Sequence, residues 1–326
     1  MMKIWIIIFI GGCCLNTYGQ NFLFQDQNNF RPYLTNPAMA GSDKTGSIAI
    51  LYRKQLLGFQ NSPNSQAISF DFPFTKRKIG FGFNGFKDNN GFFSFTGVES
   101  TFSYHLVTQM KNGIPVTGLS FGLSATFNQY HFDSNDWKAL ESDDLTISDL
   151  NKLSESYPNT NFGFNFHSHG FYFGVSAYNL ISRHSELFTN EDDLPKTFQL
   201  FLSSGFNVII QDKFSLRPKL LYRTQGNADY QLDVSTDFEL LLSEKSSFKV
   251  TPFFRTFGYA ILNGRQSFGS SIQVSRNPIK VGYQIDIPFS KINNQIFGNH
   301  VFFLGLDINS NDKKKDEMLI RKSKNK

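Results

Sequence analysis

Apolar and polar residues alternate along most of this chain. In segment 231–240, Leu232, Val234, Phe238 and Leu240 occupy even positions, whereas the odd positions carry three carboxylates and two neutral polar side chains. Successive side chains of a β-strand point to opposite faces, so this segment has one apolar face and one acidic face. Such an apolar face can meet either a protein core or the hydrocarbon of a membrane.

The same two-residue period recurs from residue 45 to residue 309. It predicts about 14 strands of roughly 8 to 14 residues, near the length that a tilted transmembrane strand needs. The run 301–308 fits less well, because both of its faces are apolar. The pattern therefore predicts an all-β protein whose strands are long enough to cross a bilayer.

The lengths of the connections indicate that the apolar strand faces contact lipid and not a protein core. Connections after even-numbered strands are short, as at 168–170, whereas those after odd-numbered strands are longer, as at 57–64, 131–158 and 182–196. Outer-membrane barrels have short periplasmic turns and longer extracellular loops, and a soluble sandwich has no reason to sort its loops in this way. We therefore predict a transmembrane antiparallel up-and-down β-barrel of about 14 strands in a Gram-negative outer membrane.

Composition agrees with a barrel. The 326 residues include 38 Phe, and charged residues make up only 18% of the chain, below the usual quarter. After residue 20, no stretch approaches the roughly 18 apolar residues of a membrane helix. The formal charge of +5 is modest and sits partly in the C-terminal tail, so we expect no nucleic-acid partner.

The first 20 residues have the layout of a secretory signal peptide. Lys3 supplies a positive start, Ile4–Ile10 forms an apolar core too short to span a bilayer, and Thr17 and Gly19 precede the expected cleavage site. A lipoprotein signal is the alternative, because Cys13 follows a loose lipobox. Under the first interpretation the mature chain has no cysteine and therefore no disulfide framework.

The remaining segments flank or interrupt the barrel. Residues 21–44 are polar and rich in helix and strand breakers, and we interpret them as a periplasmic N-terminal arm. The barrel is expected to occupy 45–309, with an acidic, extracellular insertion at 131–158. Residues 310–326 form a basic tail on the periplasmic side.

Charged residues on the polar strand faces are predicted to point into the lumen, where they must be hydrated or paired. Their basic members cluster on the ninth strand and their acidic members on the tenth, so the two strands should attract each other. One interpretation is a structural ion-pair network that fills or narrows the lumen, and the other is a selectivity ring in a pore. The predicted lumen charges are Arg53, Asp71, Glu99, Arg217, Lys219, Arg223, Asp233, Asp237, Glu239, Arg255 and Asp286.

Two short groupings could suggest chemistry. His167 and His169 could form a metal pair, but they lie in a tight turn without the further ligands expected for zinc. Ser103 and His105 could be a hydrolase fragment, but the chain has no Gly-x-Ser-x-Gly elbow. We therefore expect no enzyme activity, no metal and no cofactor.

Several short motifs, in order and spacing, resemble the PorP/SprF family. The first is Asn36-Pro37-Ala38 with Gly41, and the next are Tyr52-Arg53-x-Gln55 and Ser69-x-Asp71. Leu56 stands where the family usually has Trp, and Val301 stands where it usually has Glu. Further matches are Gln25-Asp26, Phe171–Ser176, Leu216–Pro218, Tyr230–Asp233, Gly282-Tyr283 and Gly298–His300.

The resemblance implies an outer-membrane barrel of the type IX secretion system or gliding machinery of Bacteroidota-type bacteria. Such a barrel would assist the secretion or surface anchoring of a cargo protein such as an adhesin. Its implied partners are that cargo, outer-membrane lipid and a periplasmic component linked to peptidoglycan or to the secretion ring. The alternative is a passive channel for small or apolar solutes. The candidate partner contacts are the motif residues Asn36, Pro37, Ala38, Gly41, Tyr52, Arg53 and Gln55.

Overall fold

The computed structural model places most of the chain in one antiparallel sheet. The predicted signal peptide, most of the acidic insertion and the basic tail lie outside the described residues. The structure describes residues 28–43, 45–58, 62–74, 78–111, 114–132, 154–181, 198–211, 213–225, 229–243, 245–258, 265–289 and 297–308.

The strands are β1 Gly46–Lys54, β2 Asn64–Phe74, β3 Ile79–Asn90, β4 Phe93–Lys111, β5 Ile114–Phe132, β6 Ser154–Ser168, β7 Phe171–Tyr178, β8 Gln199–Phe206, β9 Val208–Gln211, β10 Phe214–Gln225, β11 Asp229–Ser243, β12 Ser246–Gly258, β13 Arg265–Arg276, β14 Ile279–Pro288 and β15 Asn299–Ile308.

The sheet closes on itself, because β1 pairs antiparallel with both β2 and β15. The segments β8 and β9 are separated only by Asn207, and both pair with β10, so they act as one wall strand. The result is a closed antiparallel barrel of 14 wall strands. The predicted fold class is confirmed.

The two faces of the wall differ as the alternation predicted. Phe102 and Leu123 point outward with 54% and 57% of their surface exposed, whereas the neighbouring Ser103 and Ser124 point inward and are at most 1% exposed. An apolar outer face of this extent is stable only against lipid. The polar residues, conversely, line the interior.

Helices contribute little to the described part of the chain. None of the described residues lies in a helix long and apolar enough to cross a bilayer.

Both ends of the barrel-forming chain lie at the same end of the barrel, where the turns are tight. Only two residues separate Ser168 from Phe171 and Arg276 from Ile279 there. We call this the short-turn end, and it faces the periplasm by the general rule for outer-membrane barrels. The protein is an outer-membrane barrel.

The segment 28–43 lies inside the barrel, and we call it the plug. It contains two short 3-10 turns, Pro32–Leu34 and Pro37–Met39, each of which begins with a proline whose fixed φ suits that position. The polar composition of residues 21–44 predicts a periplasmic arm, but the described part of that segment, 28–43, occupies the lumen. Backbone groups of the plug are exposed to the polar faces of the wall, which can satisfy them.

Candidate functional site in the barrel lumen

The wall binds the plug largely through the plug's main-chain oxygens. Ser176 donates to the carbonyl oxygen of Thr35 at 2.5 Å, and the Tyr178 hydroxyl donates to that of Leu34 at 3.1 Å. A buried carbonyl without a hydrogen-bond donor would destabilise the fold. These wall side chains therefore donate the hydrogen bonds that water or a neighbouring strand would otherwise supply.

Ser103 and His105 share one such carbonyl. The Ser103 hydroxyl lies 2.6 Å and the His105 Nε2 lies 2.9 Å from the oxygen of Ala40, and His105 Nδ1 lies 2.8 Å from the Ser120 hydroxyl. Ser103 is completely buried. The pair considered above as a possible hydrolase fragment therefore anchors the plug.

A buried ion pair holds the start of the plug. Arg31 Nη2 lies 2.9 Å from Asp71 Oδ1, and both side chains are less than 10% exposed. Ser47 bridges the two, since its hydroxyl accepts from Arg31 and donates to the same carboxylate at 2.8 Å. Asp71 also accepts the Gly41 amide at 3.2 Å, so one carboxylate fastens both ends of the plug.

The Asn36-Pro37-Ala38 motif forms the centre of the plug. The Asn36 side chain accepts the Ala38 amide at 3.0 Å and donates to the carbonyl of Phe164 at 3.0 Å. The first bond caps the second 3-10 turn, and the second bond ties that turn to β6. These motif residues are buried within the barrel.

Inward-facing glycines make room for the motif. A Cβ at Gly122 would lie 2.2 Å from the carbonyl carbon of Pro37, and one at Gly163 would lie 2.3 Å from Asn36 Oδ1. A Cβ at Gly80 would lie 2.0 Å from the oxygen of Ala40. The wall and plug thus approach at distances that any larger residue would prevent.

An aromatic contact secures the other side of the plug. The ring of Phe30 stacks on Phe303 with centroids 4.8 Å apart, and it packs in a buried cluster with Leu51 and Val301. This contact explains why β15 is apolar on both faces: its outward residues meet lipid and its inward residues meet the plug.

Charged residues of β10 and β11 pair across the lumen wall. Arg217 reaches Glu239 at 2.6 Å, and Lys219 reaches Asp237 at 2.6 Å. In the strand register Arg217 stands opposite Asp237 and Lys219 opposite Ser235, so each cation bonds the carboxylate two residues further along β11 on the same face. Further along, Lys280 pairs with Asp307 at 2.5 Å.

A second group of ion pairs lies toward the opposite end of the barrel. Arg255 bonds both oxygens of Asp233 at 2.8 and 2.9 Å and reaches Asp286 at 3.0 Å. Arg223 is 1% exposed in the same region. Bidentate geometry of this kind is the arrangement in which an arginine best compensates buried carboxylates.

The other predicted lumen and motif residues lie apart from these two groups of ion pairs. Arg53 faces the lumen, where it bonds Ser65 at 3.1 Å and lies 3.8 Å from Asp88. Glu99 accepts from Asn161 at 2.9 Å. Tyr52, by contrast, points outward and is 38% exposed.

Gln55 lies just beyond β1, and its main-chain N–H donates a hydrogen bond to the carbonyl of Pro63. The structure therefore does not bring the family-motif residues into one site. Most of them build the plug and its seat, and the described residues contain no group of three side chains suited to a metal ion.

Sequence reasoning missed the plug anchors Arg31, Ser176 and Tyr178, and it missed the lumen residues Lys249 and Lys280. The alternation placed the strand residues on inward faces but carried no information about their partners. Arg31 precedes Pro32 in a segment without strand periodicity, so no pattern indicated its position.

A pocket of about 500 Å³ lies between the plug and strands β10–β15. It reaches the rim of the short-turn end at Ser243 and Asn277 and extends inward to Leu221 and Phe253. The ion pairs of Arg217, Lys219 and Lys280 line part of it, and apolar side chains such as Leu221 and Phe253 line the rest. The lumen thus combines a tightly seated plug with a recess that is charged in part.

Comparison with solved structures finds similar chains at low sequence identity and with TM-scores below 0.5. It resembles the CymD monoaromatic hydrocarbon channel, with 10% identity, a TM-score of 0.48 and coverage of 89% of this chain and 94% of that chain. It also resembles the toluene transporter TbuX of Ralstonia pickettii, with 9% identity, a TM-score of 0.47 and coverage of 89% and 96%. No significant relative was found among curated proteins.

A family model identifies the chain more specifically. The model described as type IX secretion system membrane protein PorP/SprF matches residues 18–306, nearly the whole chain. The matched range includes the plug, its glycine seat, strands β1–β14 and most of β15. That description is of a secretion-system membrane component and names no catalytic activity. The chain therefore belongs to the PorP/SprF family of type IX secretion system membrane proteins.

Proposed function

We propose that this barrel assists the secretion or surface anchoring of a cargo protein such as an adhesin, and that it acts as a membrane-embedded docking component. The observation that carries the proposal is the plug. A chain segment held to the wall by hydrogen bonds, an ion pair and a ring stack leaves little room for a solute path. Contacts with partners then fall to the two rims and to the recess beside the plug.

The two ends of the barrel suit different partners. The short-turn end faces the periplasm by the general rule and would meet a component linked to the secretion ring or to peptidoglycan. The opposite end carries the longer connections, such as the one between Phe132 and Ser154, and would meet the exported cargo. Family membership supports both assignments.

Deletion of the gene tests the proposal. We expect at least one surface protein to disappear from the intact-cell surface proteome and to return when the wild-type chain is supplied in trans. An empty-vector strain is the matched control. An unchanged surface proteome together with normal motility would contradict the proposal.

A passive channel is the second candidate, favoured by the charged recess at the short-turn end. Planar-bilayer recording of the purified barrel separates the two functions. The docking function predicts no steady conductance. Steady conductance that changes on charge reversal at Arg217 or Asp233 would instead identify a channel.

A further inference from the structure

The recess beside the plug reaches the short-turn end of the barrel at Ser243 and Asn277. Its lining extends inward to the buried residues Leu221 and Phe253 and to Asp233, which Arg255 bonds. Its volume of about 500 Å³ falls within the range of about 300–1,000 Å³ that is typical of ligand pockets. A molecule can enter it from the short-turn end.

Lys249 differs from the other cations on the strands that line this recess. Arg217, Lys219 and Lys280 each pair with a carboxylate. Among the described residues, Lys249 forms no ion pair, and its ammonium donates to the main-chain oxygen of Asn29 at 3.0 Å. Lys249 stands opposite Glu239 in the strand register, and Glu239 and Asp237 attract it electrostatically although neither carboxylate is within ion-pair distance of its ammonium. Arg217, Lys219 and Lys249 together carry one positive charge more than Asp237 and Glu239, so the remaining charge would stabilise a further carboxylate in the recess.

The surroundings of Lys249 suit a polypeptide. The group it now holds is itself a peptide carbonyl, and the side chain of the same Asn29 accepts from Lys219 at 3.3 Å. Hydroxyl and amide side chains, including Ser235 and Gln273, line the recess. Such groups both donate and accept hydrogen bonds, as recognition of a main chain requires.

We propose that the recess binds a carboxylate carried on a polypeptide segment of a partner, with Lys249 as the principal charged contact. The inference rests on the proposed docking function and names its site and chemistry. The carboxylate can be a chain terminus or an acidic side chain, because both present the same two oxygens. The segment enters from the short-turn end, where the recess opens.

Peptide binding to the full-length chain in nanodiscs tests the inference. Three fluorescent probes are compared by anisotropy: Ser-Gly-Ser-Gly with a free C-terminus, the same peptide amidated, and amidated Glu-Gly-Glu-Gly. We expect at least one carboxylate-bearing probe to bind about tenfold or more tightly than the neutral amidated probe, the range of one charge-assisted hydrogen bond. The tighter charged probe identifies the source of the carboxylate. Equal affinity of all three probes would overturn the inference.

Substitution of Lys249 locates the binding. Lys249→Met keeps the aliphatic stem and should weaken the charged probe about tenfold or more. Lys245→Met is the control, because Lys245 lies exposed in the turn between β11 and β12, outside the recess. An equal loss in both variants would show general charge attraction and overturn the inference.

Two further measurements keep the test decisive. Gln273→Leu changes the recess at a residue whose side chain donates to Ser275 in the wall, and it should also weaken the charged probe several-fold. Unchanged binding there would count against the recess. In cells, a surface proteome lost on gene deletion but intact with Lys249→Met would refute this site and leave the docking function standing.

Discussion

Substitution of Gly122 by Ala should unseat the plug and open the barrel. The new Cβ would lie 2.2 Å from the Pro37 carbonyl carbon and 2.3 Å from the Ala38 nitrogen, whereas ordinary contacts begin near 3.4 Å. The plug must therefore move by more than about 1 Å at a point where both atoms belong to its backbone. A shift of that size breaks the bond from Asn36 to the Phe164 carbonyl, which is 3.0 Å long.

The free-energy cost follows from these contacts. Overpacking costs about 1–3 kcal/mol, and each lost hydrogen bond adds about 0.5–1.5 kcal/mol. A destabilisation of roughly 2–4 kcal/mol raises the population of the unseated plug by about 30-fold to almost 1,000-fold, since 1.4 kcal/mol corresponds to a factor of ten. Single-channel recording in planar bilayers should show openings that the wild type shows rarely or never.

Gly97→Ala is the matched control for this prediction. Its Cβ would crowd side-chain atoms of Asn128 and Phe86 at 2.5 Å, but no plug atom is among its near neighbours. Deletion of residues 28–43 supplies the fully open reference. A heat-dependent shift in gel mobility first establishes that the Gly122→Ala barrel is folded. Two outcomes would then contradict the prediction: a folded Gly122→Ala barrel with as few openings as the wild type, or a Gly97→Ala barrel that opens equally often.

Three other substitutions test the ion pair of the plug, its ring stack and the lipid-facing side of β5. Asp71→Asn leaves Arg31 buried without its counterion, which should destabilise the plug by about 3–5 kcal/mol and make it more susceptible to added protease than the wild type, and equal cleavage of both would contradict this role of Asp71. Phe30→Ala removes the ring stacked on Phe303 and should lower the stability of the folded barrel in urea titrations by about 3–5 kcal/mol, whereas no change would show that the ring contributes nothing. Leu123→Lys places a charge at the middle of the outward face of β5 and should cost about 2–4 kcal/mol in vesicle refolding, and an unaltered midpoint would contradict a lipid-facing position.

The barrel was predictable because its signals are local. Alternation with period two assigns each strand residue to a face, and the parity of the connection lengths distinguishes lipid from a core. The inward placement of Asp233 and Asp237 and the outward placement of Leu232 and Phe238 follow from that rule alone. The run 301–308 was the one departure, and its two apolar faces were a sign that something apolar lies in the lumen.

The candidate site was less predictable because its contacts are distant in sequence. Asn36 bonds a carbonyl 128 residues away, and Tyr178 bonds a carbonyl 144 residues away. No spacing rule connects a short polar segment to side chains so far along the chain. The short motif around Asn36 resembles a family motif, but the motif alone does not indicate its burial. That burial between Gly122 and Gly163 depends on how β5 and β6 curve around the plug.

The sequence by itself therefore determined the membrane, the strand number and the polarity of each wall face, since these depend on residues two positions apart. The tertiary structure alone decided that the segment 28–43 fills the lumen. Closure of the barrel by β1 and β15 brings inward-facing glycines, carboxylates and hydroxyls around one space, and the plug satisfies them there. It also decided that Lys249 faces a recess beside that plug, because this position depends on β12 and the plug together.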